Sequence, residues 1–107
     1  MDDLTIPLSI LAGRASYNKL SGHWALAGPP SDDSDRRFVA PVLFERPFQS
    51  TPVVNLALSG IDISNGDSAR LRVRVEEITT NGFLVVAETW FNTEVHGFDV
   101  SWMAVGT

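Results

Sequence analysis

The segment Arg70–Ala104 reads RLRVRVEEITTNGFLVVAETWFNTEVHGFDVSWMA and carries the clearest secondary-structure pattern in the chain. In its first part, apolar side chains alternate strictly with arginines. The apolar set is Leu71, Val73 and Val75, and the arginines are Arg70, Arg72 and Arg74. Because successive side chains of a strand point to opposite faces of a sheet, this period of two predicts a strand with one face in a core.

A tight turn follows that strand. The dipeptide Asn81-Gly82 is a strong hairpin signal because both residue types tolerate positive φ angles. A return strand is then predicted over Phe83–Trp90 and another over Phe98–Val105. Together with Arg70–Val75, these runs predict a meander of three antiparallel strands at the end of the chain.

The first part of the chain gives weaker patterns. The run Leu8–Ser16 alternates poorly and contains Gly13, which predicts an edge strand or a bend. The run Gly22–Leu26 predicts a short strand in which Trp24 anchors the rim of the fold.

Two further runs complete the prediction. Phe38–Phe48 contains Pro41, and a proline within a strand places that strand at the edge of a sheet or at a bulge. Pro52–Ile63 predicts a long strand with a bulge or close approach at Gly60. Many short strands separated by turn residues predict an all-β fold, an antiparallel sandwich of six or seven strands. We expect a single domain over residues 1–107, in which residues 1–10 form an N-terminal arm or an edge strand.

Composition excludes several classes of function. The chain has 107 residues, no cysteine and a net charge of −5, so neither disulfides nor thiolate metal sites contribute. The acidic balance argues against nucleic acid as a partner, and the absence of a long apolar run argues against membrane insertion. The acidic start ahead of Ile6–Ala12 is unlike a signal peptide, so we expect a cytoplasmic protein or one released by a non-classical route.

Catalytic and metal motifs are weak. No Gly-x-Ser-x-Gly motif occurs, and Glu76 and Glu77 are adjacent on a predicted strand, so they point to opposite faces. The loop acids Asp32, Asp33 and Asp35 offer oxygen ligands for calcium, but such acids are more often simply solvated. We therefore expect no enzyme activity, no cofactor and no metal site.

Arg70 and Trp90 are predicted at the same end of the sheet, because one begins a strand and the other ends its hairpin partner. A tryptophan at a strand end commonly packs in a core or at its rim. The alternative is a sugar site, which needs an apolar platform for the C–H face of the ring and polar groups for its hydroxyls. An aromatic ring beside a forked donor has the chemistry to bind a galactose-type sugar.

The strand Phe83–Ala87 is apolar on both faces, which is unusual for a strand with one face in water. Leu84 and Val86 would share the outer face with the arginines and Glu88. A face that mixes aliphatic side chains with arginine and glutamate predicts a subunit interface rather than only a solvated surface.

The same segment resembles the H-type lectins, which include the snail agglutinins and the sugar-binding domain of the discoidins. The resemblance rests on the arginine-led strand, the hairpin into Gly82-Phe83, the motif Thr89-Trp90-x-Asn92-Thr93 and the pair Ser101-Trp102. It covers the chain after about residue 10 and is strongest from Pro52 onward. It implies a β-sandwich that assembles as a homotrimer, with further stacking into hexamers as an open expectation.

The resemblance also implies which residues bind carbohydrate: Arg70, Trp90, Phe91, His96, Ser68 and Asp35. Ser68 stands where the snail agglutinins have Asn, Phe91 where they have His, and His96 where they have Tyr. Asp35, or alternatively Asp33, is expected to supply the acid that accepts hydrogen bonds from sugar hydroxyls.

The function expected from these observations is that of a non-catalytic lectin. It would recognise glycans with terminal galactose-type sugars, in particular N-acetylgalactosamine, and would act multivalently in cell adhesion. The alternative is a structural or adhesion module of a larger surface assembly, with a decayed or altered sugar site.

Overall fold

A computed structural model describes residues 7–28, 35–64, 66 and 68–107. The described residues form six strands: β1 (Ser9–Asn18), β2 (Arg36–Leu43), β3 (Val53–Ile63), β4 (Arg72–Glu76), β5 (Gly82–Thr89) and β6 (Val95–Gly106). The all-β antiparallel sandwich predicted from the sequence is confirmed. No helix in the described part of the chain is long and apolar enough to cross a membrane.

The strands form two three-stranded antiparallel sheets. One has the order β1-β6-β3 and is called the β6 sheet after its central strand; the other has the order β2-β5-β4 and is called the β5 sheet. β2 is therefore an edge strand, which is one of the two options that Pro41 predicted. β1 is also an edge strand, one of the two options predicted for Leu8–Ser16.

The predicted hairpin between β4 and β5 is present, but neither Asn81 nor Gly82 has the positive φ expected of it; Glu77, which directly follows β4, has a φ of 50°. The backbone N–H of Thr79 donates to the Gly82 carbonyl at 2.8 Å, and the Thr79 hydroxyl accepts from Asn81 N at 3.1 Å. A Cβ on Gly82 would collide with the carbonyl oxygen of Val42 on β2. Glycine is required here because the neighbouring strand lies directly against its Cα atom.

The predicted meander is wrong in its last step, because β6 does not pair with β5. Instead β6 lies between β1 and β3 in the other sheet, with Ala15 opposite Val100 and Leu56 opposite Trp102. Phe91, just after β5, has a φ of 58°, which turns the backbone out of the β5 sheet. The Val95 N–H then bonds the Leu26 carbonyl at 3.0 Å, and the chain enters β6 from there.

The predicted strand Gly22–Leu26 is also wrong. Gly22 and His23 both have positive φ, 77° and 56°, which is incompatible with an extended strand. Trp24 nevertheless anchors the fold as expected, because its indole N–H donates to the Val95 carbonyl at 2.9 Å. Its ring lies 4.8 Å from that of Phe38, centroid to centroid.

The core lies between the two sheets and is rich in aromatic rings. Its fully or almost fully buried members include Leu26, Phe38, Phe83, Val85, Ala87, Val95, Phe98, Val100 and Ala104. Leu71, Val73 and Val75 pack against this cluster, which confirms their predicted face. The bulge predicted at Gly60 is confirmed by a register shift between Leu58 and Gly60 on β3.

Candidate functional site

The candidate site lies where β5 ends and β4 begins, and it is built around the guanidinium of Arg70. Its Nη1 donates to the Ser68 carbonyl at 3.3 Å, to Asn92 Oδ1 at 3.1 Å and to Thr93 Oγ1 at 3.1 Å. The Thr93 hydroxyl in turn donates to the Ser68 carbonyl at 2.8 Å, and the Thr89 hydroxyl donates to the Arg70 carbonyl. The side chains of the segment 89–93, called the 89–93 turn below, therefore fix both the backbone and the side chain of Arg70.

A second arginine holds the 89–93 turn from the inside. Arg36, at the start of β2, is only 7% exposed. Its Nη2 donates to the Phe91 carbonyl at 2.7 Å and to the Thr93 carbonyl at 2.9 Å, and its Nη1 donates to the Leu26 carbonyl at 3.2 Å. Charged donors make stronger bonds than neutral ones, so this buried cation fixes the path of the turn.

Two aromatic side chains of this turn each pack against the guanidinium of an arginine. Phe91 is 48% exposed, and the Arg70 Cζ lies 4.9 Å from its ring centroid. The Arg72 Cζ lies 5.1 Å from the ring centroid of Trp90. Arg70 was predicted to act beside Trp90, but its direct aromatic neighbour is Phe91. Both distances are within the reach of a cation–π interaction.

The structure brings some of the predicted binding residues together and separates others. Arg70 contacts both the backbone carbonyl of Ser68 and the ring of Phe91, and Trp90 precedes Phe91 in the chain. Asp35 is exposed and immediately precedes Arg36, which holds the turn. His96 lies on β6 in the other sheet, where its Nε2 is 2.8 Å from Ser64 Oγ. Asp33 and the rest of 29–34 fall outside the described residues.

Sequence reasoning missed four residues of this site: Arg36, Arg72, Asn92 and Thr93. A signal for two of them was present. Asn92 and Thr93 follow a predicted strand end, where the side chains of Asn and Thr commonly bond to nearby backbone or polar groups. Arg36 gave no such signal, because its burial depends on carbonyls that are distant in the sequence.

The outer face of the β5 sheet beside the site carries an ion-pair network. Glu76 pairs with Arg74 at 2.6 Å and with Arg37 at 3.1 Å. Glu88 pairs with Arg74 and lies 3.9 Å from Arg72. The hydrogen bond from Arg74, helped by the charges of Arg74 and Arg37, lowers the pKa of Glu76 below its ordinary value of 4.5.

This network also explains a buried aliphatic side chain on the outer face. Val86 is fully buried although it points away from the core between the sheets. Arg37 lies opposite Glu88 on β5, whereas Glu76 lies opposite Leu84. The Arg37–Glu76 pair thus joins the two edge strands diagonally across β5, at the position of Val86.

The arrangement offers a positioned cation, exposed aromatic surface and neighbouring hydroxyls. Among the described residues, no group of three or more His, Cys, Asp or Glu side chains could hold a metal ion. Guanidinium donors match the oxygens of a polar ligand, and an exposed ring matches an apolar face of the same ligand. These are the requirements for binding a sugar ring.

Comparisons with known proteins agree with the all-β fold. Residues 39–105 match the family model of the H-type lectin domain. A protein of Fuscovulum blasticum described as ATP synthase subunits region ORF 7 is 32% identical over 84 residues, which is 78% of this chain and 68% of that protein.

Solved structures of other proteins share this fold. Wild-type discoidin II from Dictyostelium discoideum superposes with a TM-score of 0.71 at 28% identity, over 94% of this chain. The chain spans only 37% of the length of that discoidin II chain. The R1 pyocin fibre of P. aeruginosa superposes with a TM-score of 0.61 over 94% of this chain and 23% of the fibre chain, at 11% identity. The likeness to the fibre shows a shared fold.

Proposed function

Because this chain belongs to the H-type lectin domain family, we propose that it binds glycans with terminal galactose-type sugars, in particular N-acetylgalactosamine, at the Arg70–Phe91 pair. The family and the fold point to a non-catalytic protein. The observation that carries the proposal is the fixed guanidinium of Arg70 beside the half-exposed ring of Phe91.

Arg70 is preorganised for this role. Within the described part of the chain, its three hydrogen bonds all leave from Nη1. Nη2 and Nε can therefore donate to the ring or hydroxyl oxygens of a sugar. Because the side chain is already held in place, binding costs little of the conformational entropy that a flexible arginine would lose.

Phe91 and Trp90 supply the apolar part of the site. Phe91 stands where the snail agglutinins have a histidine, so a polar contact is replaced by apolar surface. An acetamido methyl group can pack on that surface, whereas plain galactose has nothing to place there. We therefore expect N-acetylgalactosamine to bind more tightly than galactose. Asp35, exposed next to the turn, is the candidate acceptor for the sugar hydroxyls.

The test is a glycan array on the purified protein, followed by calorimetric titration of Arg70→Lys with N-acetylgalactosamine. A lysine Nζ can meet the oxygens that Nη1 meets now, so the melting temperature should change little. The planar second donor is lost, so affinity should fall by roughly tenfold or more, the size of one or two charge-assisted hydrogen bonds.

The matched control is Arg46→Lys, which changes an exposed arginine after β2, at the opposite end of the sandwich. This variant should bind as the unchanged protein does. Two results would contradict the proposal: an array with no bound galactose-type glycan, or an Arg70→Lys variant that binds N-acetylgalactosamine with unchanged affinity.

We propose further that the protein is a homotrimer assembled through the outer face of the β5 sheet. That face exposes Val39 to 43% and Leu43 to 78% beside the ion-pair network. Interfaces between subunits combine an apolar core with a polar rim, and arginine is enriched in them. Three weak sugar sites in one assembly would strengthen binding to a multivalent glycan surface.

A further inference from the structure

The outer face of the β6 sheet contains a polar hollow that is separate from the Arg70 site. It has a volume of about 300 Å³ and is lined by Arg14, Ser16, Ser59, Asp99 and Ser101. We propose that this hollow, called the β6 groove, is a second carbohydrate-binding site that takes a neutral sugar ring. Its volume is at the lower end of the range for small-ligand sites, about 300–1,000 Å³.

Strand register brings these side chains together. Ser16 on β1 lies opposite Asp99 on β6, and Arg14 lies opposite Ser101. On the other side of β6, Gly60 of β3 lies opposite Asp99. The register shift between Leu58 and Gly60 inserts Ser59 as an extra residue, and Ser59 lines the groove. Bulges commonly redirect a side chain in this way next to a binding site.

Gly60 makes room for the carboxylate at the centre of the groove. A Cβ atom at this position would collide with Asp99 Oδ2. The Asp99 side chain therefore lies over the bare backbone of β3 and leaves space between itself and β1. Close approach of this kind is a common reason for a glycine within a strand.

The charges of the groove have no charged partner among the described residues. Across the described residues, neither Arg14 nor Asp99 takes part in an ion pair or a side-chain hydrogen bond. The outer face of the β5 sheet behaves differently, because Arg37, Arg72 and Arg74 each pair with Glu76 or Glu88. One sheet thus neutralises its charges, whereas the other presents a guanidinium and a carboxylate on the same face.

A sugar hydroxyl suits such a pair of groups. It can donate to the Asp99 carboxylate and accept from the Arg14 guanidinium at the same time, and hydroxyls of Ser16, Ser59 and Ser101 can do either. Hydrogen bonds to charged groups are the stronger kind. Because one positive and one negative group face the ligand, a neutral polyol fits better than an anion or a cation.

The groove continues along the sheet and gains an apolar surface. Ser16 and Asp99 also line a second hollow, of about 290 Å³, together with Asn18, Ile61 and His96. Ile61 is 55% exposed and can pack against the C–H face of a ring. His96 Nδ1 is buried without a hydrogen-bond partner among the described residues. Hence His96, predicted to bind sugar with Arg70, lies instead beside the β6 groove.

The experiment is an NMR titration of ¹⁵N-labelled protein with four probes: galactose, N-acetylgalactosamine, glucose and mannose. For at least one probe, backbone amide signals of Ser16, Gly60, Gly97 and Asp99 should shift and saturate. Asp99→Ala and Arg14→Gln should each weaken that binding by roughly tenfold or more. Both residues are exposed, so both variants should keep the dispersed spectrum of the folded protein.

Arg70→Lys separates this proposal from the preceding one, because it should leave the β6 groove shifts unchanged. Shifts confined to the Arg70 site, or no groove shifts with any of the four probes, would overturn the second site. It would equally be overturned if groove signals moved with protein concentration and not with sugar, since the face would then be a contact between copies.

Discussion

Arg36 determines the shape of the candidate site although it is not exposed enough to serve as its main ligand-binding group. Its guanidinium bonds the carbonyls of Leu26, Phe91 and Thr93, which come from two separate loops. Phe91 has a left-handed φ of 58°, which costs a bulky residue energy and persists only where surrounding contacts impose it. Arg36 provides such contacts, because its guanidinium donates hydrogen bonds to the carbonyls of both Phe91 and Thr93.

We expect Arg36→Met to lower the free energy of unfolding by about 2–4 kcal/mol, because it removes a charged donor and leaves buried carbonyls without their partner. Urea denaturation followed by tryptophan fluorescence measures the change. Arg37→Met is the matched control on the same strand. Its guanidinium is exposed and ion-paired with Glu76, so its loss should cost about 1 kcal/mol or less. Equal losses for the two variants would show that the buried carbonyls do not depend on Arg36.

The strands themselves were largely predictable, whereas their partners were not. Asn81-Gly82 correctly placed a hairpin between β4 and β5, but the turn itself differs from the expected one, because neither residue has a positive φ whereas Glu77 has a φ of 50°. β6 has the same alternating pattern whether it extends the β5 sheet or crosses to the other one. Its place is set by distant contacts, such as Val95 N–H to the Leu26 carbonyl. For the same reason Trp24 was predicted as an anchor but wrongly placed on a strand.

The candidate site was predictable to a similar extent. The predicted ends of two paired strands placed Arg70 and Trp90 at one end of a sheet. In the structure Arg70 lies just before β4 and Trp90 just after β5, at that same end. The ring that each arginine contacts was not predictable. Phe91 has a positive φ, its ring lies against Arg70, and the ring of Trp90 lies against Arg72. A period-two pattern gives the face of a residue within a strand, but not its direction in the turn beyond.

The ion-pair network across the β5 sheet should make stability depend on pH. The pKa of Glu76 is lowered in the folded protein, chiefly by the hydrogen bond from Arg74, so folding favours its charged form. Its stabilising contribution is therefore complete above the ordinary value of 4.5 and is lost as the pH falls through the lower, folded-state pKa. Glu76→Gln should melt earlier than the unchanged protein at neutral pH.

At acidic pH the melting temperatures of the two proteins should converge, because Glu76 is then protonated in both the folded and the unfolded state. Thermal scans at a series of pH values measure this convergence. Glu45→Gln, which removes an exposed acid outside the network, is the control for the loss of one negative charge and should melt with the unchanged protein at neutral pH. A constant gap between Glu76→Gln and the unchanged protein at every pH would mean that the network contributes no pH-dependent stability.

The two outer faces of the sandwich differ in a way that bears on assembly. The β5 sheet pairs its charges and exposes Val39 and Leu43, while the β6 sheet leaves Arg14 and Asp99 unpaired among the described residues and exposes Val53 and Met103. Both faces thus carry apolar surface, and only one of them needs to be covered in a trimer. The proposed trimer uses the β5 sheet, because removing ion-paired charges from water costs less than removing unpaired ones, and Arg37, Arg72 and Arg74 are ion-paired on that face.

Light scattering on the purified protein should give about three times the 11.7 kDa mass of one chain. Val39→Glu places a carboxylate in the proposed interface and should reduce that mass to a monomer, because a buried charge without a partner opposes association. Val39 is 43% exposed in the single chain, so circular dichroism should remain unchanged. Val53→Glu, on the β6 sheet and 66% exposed, is the matched control and should remain a trimer.

A monomeric unchanged protein at micromolar concentration would contradict the trimer itself. If Val53→Glu dissociates the assembly and Val39→Glu does not, the interface lies on the β6 sheet, and the unpaired charges of that face would then meet those of a second copy.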